Sequence, residues 1–201
     1  GISSFALARD GWETVALEPD PSALVGAGAI RRLAADAGLR IDVVEEWGER
    51  LPFSDCRFDL VYGRQVLHHA KDLSRFCLEI GRVLKTGGTF IATREHVISR
   101  REDLAAFLEN HPLHRLYGGE NAYRLDEYRR AIRGGGIALT AVLNPYQSDI
   151  NLYPGTVAEF RRRIAARLHL PEGWIPGMAL RWLGNVSRTP GRLFTFVGRK
   201  G

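Results

Sequence analysis

The chain alternates between short apolar runs and longer segments in which apolar residues recur every three or four positions. Short runs that end in polar or turn-forming residues predict strands, and the periodic segments predict helices. The predicted strands of the first half cover residues 15–17, 41–44, 58–63 and 89–95, and the predicted helices cover 1–12, 21–39 and 72–88. Because the strands are nearly continuous apolar runs that alternate with helices, we expect a parallel sheet covered on both faces.

The regular alternation of short apolar runs with helical segments stops after residue 98. Residues 100–136 are mostly polar with helical periodicity, and Gly118-Gly119 predicts a turn within them. Further segments predict a strand over 137–146, a helix over 156–168, an irregular stretch over 171–192 and a final strand over 193–200. No repeat and no linker divides the chain, so we expect a single domain. Its expected parts are a core over 1–98, a helical lid insertion over 99–155, and a C-terminal part over 156–201.

Composition narrows the class of protein. With 201 residues, 45% apolar and 25% charged, the chain resembles ordinary globular domains. It has no apolar run of membrane-spanning length and no signal-peptide pattern, so a membrane partner is not expected. Cys56 and Cys77 are too few for a disulfide framework, which favours a reducing, cytoplasmic location.

The positive charge does not form a single patch. The net charge is +5, and the basic residues, of which only three are lysines, are scattered along the chain. The densest run, residues 161–163, lies in a predicted helix, where it forms either a solvated face or an anion site. A nucleic-acid partner is therefore not expected.

Polar residues follow the predicted strands at the sheet edge where ligands bind in open parallel sheets. Glu18 ends the strand 15–17, where a carboxylate can accept hydrogen bonds from ribose hydroxyls; alternatively it stabilises the following helix N-terminus. Trp47 and Gly48 follow the strand 41–44. Trp47 can stack on a flat heterocycle, and Gly48 lets a ligand approach the backbone. The alternative for Trp47 is ordinary packing.

Three segments in this order, VALEPDPSAL, WGERLPFSDCRFDLVYGRQVLHHAKD and EIGRVLKTGGTFIAT, resemble the class I S-adenosylmethionine-dependent methyltransferases that act on small molecules. The resemblance covers residues 1–98. It implies an α/β fold with a Rossmann-like sheet that is mostly parallel and whose last strand, here LFTFVGRK, is antiparallel. It also implies S-adenosylmethionine as the cofactor.

The resemblance also assigns site residues. Glu18 matches the acid that binds the cofactor ribose, and Leu51-Pro52-Phe53 follows the segment that borders the adenine. Many members have an aspartate where this chain has Trp47, so stacking by Trp47 or bonding by Glu46 or a backbone group would replace that contact. The complete set of expected cofactor contacts is Gly1, Glu18, Pro19, Trp47, Gly48, Glu49, Arg64 and Gln65.

The segment FDLVYGRQVLHH places Arg64 and Gln65 where, in the family, the amino acid end of the cofactor meets the substrate. His68 and His69 are expected to begin the next helix. One of them should face the site, and the other should pack or face solvent; His69 is the candidate for a substrate role.

Gly1 matches the last glycine of the family's glycine-rich loop. The first family strand and the other glycines have no counterpart in this sequence. The strands ending at Glu18 and Tyr62 would then lack their common neighbour, which costs backbone hydrogen bonds and core contacts. The expectation is therefore that the sequence belongs to a longer protein and binds cofactor poorly without the upstream strand.

Methyl transfer from a sulfonium is an in-line displacement, which mainly needs alignment of the nucleophile. A hydroxyl acceptor would also benefit from a general base, for which His69 and His96 are the candidates. His96 could instead cap or solvate its loop, and an amine or carbanion acceptor would need no base. No metal is expected, because His111 and His114 have no clearly paired carboxylate or third histidine.

The sequence therefore predicts a methyltransferase of small molecules, with O-methylation of a sugar or other polar metabolite slightly favoured. A methyltransferase-like binding module without catalysis is the main alternative. A nicotinamide-dependent oxidoreductase also fits Glu18, but the LPF and RVLKTGG segments disfavour it. The sequence specifies neither the acceptor and the atom methylated nor the pathway and oligomeric state.

Overall fold

The computed structural model describes residues 1–201, apart from the side chains of Tyr117 and Glu172. The chain forms two compact units, Gly1–Ser54 and Asp55–Gly201. Among the helices that the structure describes, none is long and apolar enough to cross a membrane.

The first unit is a two-stranded parallel sheet with two helices. Thr14 lies opposite Ile41 and Leu17 opposite Val44, so the two strands run in register over their whole length. Its elements are α1 (Ile2–Arg9), β1 (Thr14–Leu17), α2 (Ala27–Asp36) and β2 (Ile41–Val44). Helix α2 begins six residues later than the apolar pattern predicted, because residues 21–26 form turns in which the Ser22 side chain accepts from the backbone N–H of Gly26.

The second unit is a five-stranded sheet in the order β3-β4-β7-β6, with β5 beside β4. β3 and β5 are parallel to β4, whereas β7 is antiparallel to both β4 and β6. The strands are β3 (Phe58–Arg64), β4 (Leu84–Ile98), β5 (Tyr123–Arg124), β6 (Ile137–Leu143) and β7 (Arg192–Lys200). The helices are α3 (Leu73–Val83), α4 (Asp103–Asn110), α5 (Pro112–Tyr117), α6 (Leu125–Gly134), α7 (Asp149–Leu152), α8 (Val157–Leu168) and α9 (Gly177–Val186).

The core of the second unit lies where α3 and α6 pack on the sheet. Phe90 on β4 and Phe196 on β7 are completely buried, and Tyr128 on α6 packs against Phe196 at 5.1 Å between ring centroids. Helix α3 is preceded by Asp72, whose side chain accepts from the backbone N–H of Arg75 and caps the first turn. The fold class expected from the sequence is confirmed: an α/β domain whose last strand is antiparallel.

Several local expectations were wrong. Helix α3 ends at Val83 rather than at Gly87-Gly88, because the backbone of Leu84 is already extended and enters β4. His68 and His69 form a 3-10 turn, Leu67–His69, ahead of α3. The stretch predicted to be irregular contains α9, which begins directly after Pro176. Residues 99–155 contain α4 to α7 together with β6, a strand of the sheet; their role as a lid stays a prediction.

Candidate functional site

The pairing of β3 with β4 ends where β3 ends, with Arg64 opposite Thr93, while β4 continues to Ile98. The next residues, Gln65 and Arg94, both have left-handed backbone conformations, with φ of 53° and 60°. Residues other than glycine are uncommon there, and such strain clusters at functional sites. The backbone N–H of Gln65 donates to the Thr93 carbonyl at 2.9 Å, so the adjacent strand holds this turn in place.

A buried carboxylate organises this edge. Glu95 has no exposed surface and accepts from the backbone N–H groups of Val66 and His68, each at 3.1 Å. The Nδ1 atom of His68 lies 2.8 Å from the same carboxylate. The pairing of β4 with β7 is irregular between Ala92 and Glu95, and this bulge directs Glu95 towards the turn after β3.

Four histidines and one glutamate gather beside Glu95. We call His68, His69, His96, His111 and Glu120 the histidine cluster. The ring of His68 lies 4.2 Å from that of His69 and 4.7 Å from that of His96, measured between centroids. His96 lies 5.0 Å from His111, and both rings contact Phe107. The five residues come from β4, the 3-10 turn and the segment around α5.

Hydrogen bonds fix the orientation of three of these rings. Nδ1 of His68 bonds to the Glu95 carboxylate, Nδ1 of His69 lies 3.0 Å from the Gly119 carbonyl, and Nδ1 of His96 lies 2.9 Å from the Gly191 carbonyl. Carbonyl oxygens accept only, so the proton of His69 and of His96 lies on Nδ1. In the neutral form of either ring the lone pair is therefore on Nε2.

The two predicted catalytic histidines have different surroundings. His69 is exposed, whereas His96 is 7% exposed. Burial lowers the pKa of His96 to about 4, because the charged ring would lose its hydration. His96 is therefore neutral at physiological pH. Gly191, which positions His96, has φ of 74°, and an added Cβ there would collide with the Phe107 ring.

Most predicted cofactor contacts lie in the first unit. One carboxylate oxygen of Glu18 accepts from the backbone N–H of Asp20 at 3.1 Å. Trp47, after β2, keeps 59% of its surface exposed. The other predicted contacts of this unit are Gly1 before α1, Pro19 after β1, and Gly48 and Glu49 after Trp47.

The remaining two predicted contacts, Arg64 and Gln65, lie in the second unit, at the end of β3 and directly after it. The predicted cofactor roles of all eight residues stay predictions.

Sequence reasoning missed Glu95 and Glu120 as partners of the histidines. His111 and His114 were considered as a pair, but the structure brings His111 to His96 and Glu120. A ligand atom from each of these three residues lies within 4.8 Å of the others, and His68, His69 and Glu120 meet the same limit. Glu95 was detectable only as an acid at a strand end, since its partner is 27 positions away.

Comparison with known proteins defines the class. Residues 1–92 match the family model described as a methyltransferase domain. Over this segment, which is just under half of the chain, the protein is similar to class I S-adenosylmethionine-dependent methyltransferases, as the sequence resemblance implied. Within the histidine cluster, His68 and His69 lie in the matched segment, whereas His96, His111 and Glu120 lie beyond it.

Curated relatives are similar over short segments. The dimethylglycine N-methyltransferase of Parasynechococcus marenigrum (strain WH8102) is 40% identical over 65 residues, which are 31% of this chain and 23% of that protein. The ubiquinone biosynthesis O-methyltransferase of Azorhizobium caulinodans is 31% identical over 93 residues, which are 46% of this chain and 36% of that protein. The chain thus matches well under half the length of either relative.

A solved structure shares the fold. It is the geranyl diphosphate C-methyltransferase from Streptomyces coelicolor A3(2), in complex with Mg2+, geranyl diphosphate and S-adenosyl-L-homocysteine. The TM-score is 0.65 at 14% identity, and the alignment covers 100% of this chain and 68% of that chain. At this identity the likeness shows the fold alone.

Proposed function

We propose that this protein transfers a methyl group from S-adenosylmethionine to a small molecule. The observation that carries the proposal is the methyltransferase-domain match over residues 1–92, in which Glu18 stands at the carboxyl end of β1. Ligands of open α/β sheets bind beyond the carboxyl ends of the strands, so Glu18 is in the right place for a ribose.

The residues of the first unit fit a nucleoside. Asp20 N–H already bonds to Oε1 of Glu18, which orients the carboxylate. Among the described residues, none donates a hydrogen bond to Oε2 of Glu18, so this oxygen can accept from a ribose hydroxyl. The exposed indole of Trp47 offers a flat apolar surface for an adenine ring. S-adenosylmethionine, when bound, supplies the activated methyl group.

His69 is the better candidate for the general base. Its Nδ1–H bond to Gly119 leaves the lone pair on Nε2, and the ring is exposed to an incoming acceptor. His96 is a weaker base, because burial holds its pKa at about 4. A positioned base assists a hydroxyl acceptor, and we therefore propose O-methylation of a polar metabolite such as a sugar.

The named relatives include both N- and O-methyltransferases, so amine acceptors are the competing class. The location that we propose is the cytoplasm, where the free thiols Cys56 and Cys77 stay reduced.

Calorimetric titration with S-adenosylhomocysteine tests the cofactor assignment. Glu18→Ala should weaken binding by about 10-fold to 100-fold, because the ribose loses a charge-assisted hydrogen bond. Glu13→Ala is the matched control, since Glu13 is an exposed acid just before β1. Equal losses in both variants would contradict the assignment, as would absence of binding by a protein that includes the upstream strand and is folded by circular dichroism.

The same protein can be tested with a panel of hydroxyl and amine acceptors. With a hydroxyl acceptor, His69→Gln should lower kcat by about 100-fold and leave S-adenosylhomocysteine affinity unchanged. Turnover of amine acceptors alone, unaffected by His69→Gln, would exclude the proposed O-methylation.

A further inference from the structure

Glu120 lies between two sets of histidines in the second unit. Its Oε2 atom is 3.3 Å from Nε2 of His68, and its Oε1 atom is 4.0 Å from Nδ1 of His111. The Glu120 side chain is 8% exposed, and that of His68 is 1% exposed. A carboxylate this deeply buried needs compensation by donors or by a cation.

Two buried polar atoms face this space without a hydrogen bond among the described residues, although Oε2 of Glu120 lies 3.3 Å from Nε2 of His68. In the part of the chain that the structure describes, neither Nε2 of His96 nor Oε2 of Glu120 has a hydrogen-bond partner. His96 is 7% exposed, so water does not solvate its ring freely. Buried polar atoms are nearly always satisfied in folded proteins, so two of them in one cluster point to a missing ligand.

Hydrogen bonds locate the lone pairs of two histidines in this space. Nδ1–H of His96 donates to Gly191, which leaves the lone pair of Nε2 directed away from that bond. On His111, Nδ1 accepts a long bond of 3.4 Å from the backbone N–H of His114, so its lone pair lies on Nδ1, and a metal ion bound there would replace this bond. A histidine whose other nitrogen donates to a carbonyl or carboxylate is the usual arrangement for a metal ligand.

We propose that His96, His111 and Glu120 bind a divalent transition metal ion such as zinc. The three ligand atoms lie within 4.8 Å of one another. Tetrahedral zinc with bonds of about 2.0–2.2 Å holds its ligand atoms roughly 3.3–3.5 Å apart, so side-chain movements of about 1 Å complete the site. Three protein ligands leave a fourth position open for water or a substrate oxygen.

The ligand chemistry selects the ion. Two imidazole nitrogens and one carboxylate suit zinc, cobalt or nickel, whereas magnesium prefers an all-oxygen shell. The alternative set of His68, His69 and Glu120 also has ligand atoms within 4.8 Å. We favour the His96 set because Nε2 of His96 has no other described partner, whereas His69 is exposed.

The test is titration of the folded, EDTA-treated protein, purified without a histidine tag, with zinc, cobalt and magnesium. We expect stoichiometric zinc binding, visible absorption bands of tetrahedral cobalt, and no heat with magnesium. Glu120→Gln and His111→Ala should each weaken zinc binding by at least about 100-fold. Glu120→Gln keeps the shape of the side chain, and His111 is less buried than His96, so these two variants serve if His96→Ala fails to fold.

Two further variants decide the assignment. His169→Asn is the matched control, because His169 is exposed outside the cluster and asparagine tolerates its left-handed backbone; it should bind zinc as the parent does. His69→Ala should also retain binding. Absence of zinc binding by the folded protein would overturn the proposal, as would wild-type affinity in Glu120→Gln. Loss in His69→Ala with retention in His111→Ala would overturn it in favour of the His68–His69 set.

Discussion

The two units bury apolar side chains to very different extents. In Gly1–Ser54, the fully buried apolar residues are three alanines, Ile30 and Leu51, and none of the described residues of α1 is fully buried. In Asp55–Gly201, one cluster alone contains sixteen buried residues, five of them phenylalanine or tyrosine. Two-stranded sheets have little stability of their own, so we expect the first unit to open more readily than the second.

Most of the predicted cofactor contacts lie in one unit, whereas the densest packing lies in the other. The segment that matches the methyltransferase family, residues 1–92, includes the whole of the weakly buried first unit. The densely packed second unit contains the histidine cluster, most of which lies outside that segment. The predicted cofactor contacts of the first unit lie at strand ends, which a small core can present, whereas buried histidines and carboxylates need a rigid surrounding structure.

The largest expected effect compares the same substitution in both units. Ile80 on α3 and Ile30 on α2 are 2% and 3% exposed. Ile80→Ala should lower the free energy of unfolding by about 3–5 kcal/mol, because it leaves a cavity in a dense core. Ile30→Ala should cost about 2 kcal/mol or less, because its small neighbours can collapse into the space. Denaturant unfolding followed by circular dichroism measures both, and equal losses would contradict the comparison.

A smaller effect tests how closely α3 and α6 approach. A Cβ on Gly81 would overlap the carbonyl oxygen of Gly135, so Gly81→Ala should lower the free energy of unfolding by about 1–3 kcal/mol. Gly134→Ala, next to Gly135, is the control, since a Cβ there would meet no described atom within 4 Å outside its own helix. The control should be neutral or slightly stabilising in thermal unfolding. If both variants lose stability alike, the close helix contact is not responsible.

The smallest effect concerns pH. Burial, and then the nearby charge of Glu95, raise the pKa of Cys77 from 9.0 to about 12. The folded state holds this proton more tightly than the unfolded state, so the associated stability is complete below pH 9 and declines as pH rises towards 12. From pH 8 to pH 10 the decline should be about 1.4 kcal/mol.

Cys77→Val should remove this part of the pH dependence, which denaturant unfolding at several pH values measures. Thiol reagents provide a second check: they should modify the exposed Cys56 quickly and reach Cys77 only on unfolding. Fast modification of both thiols in the folded protein would show that the second unit is less tightly closed than its burial implies.

The local pattern of apolar and polar residues predicted most strands, but it did not predict the helix near the C-terminus. Residues 171–192 contain three prolines and several glycines, which favour turns. Helix α9 nevertheless forms after Pro176, because proline is tolerated at a helix start and Leu180 gains a buried position beside Ile175 and Ala165. Gly184 lets the helix approach Asn144, whose side chain donates to the Arg181 carbonyl. These contacts come from distant residues, so local propensity does not report them.

The sequence by itself determined the class of this domain, since apolar periodicity and the segments around Glu18 and Gln65 depend on local spacing. The resemblance also implied that the final strand, β7, is antiparallel, as it is to both of its neighbours. Only the tertiary structure decided which polar groups meet. The bulge in β4 turns Glu95 towards His68, and the fold brings His96, His111 and Glu120 together across 24 positions of the chain. Side-chain direction at a bulge and contacts between distant segments follow from packing, which no local pattern encodes.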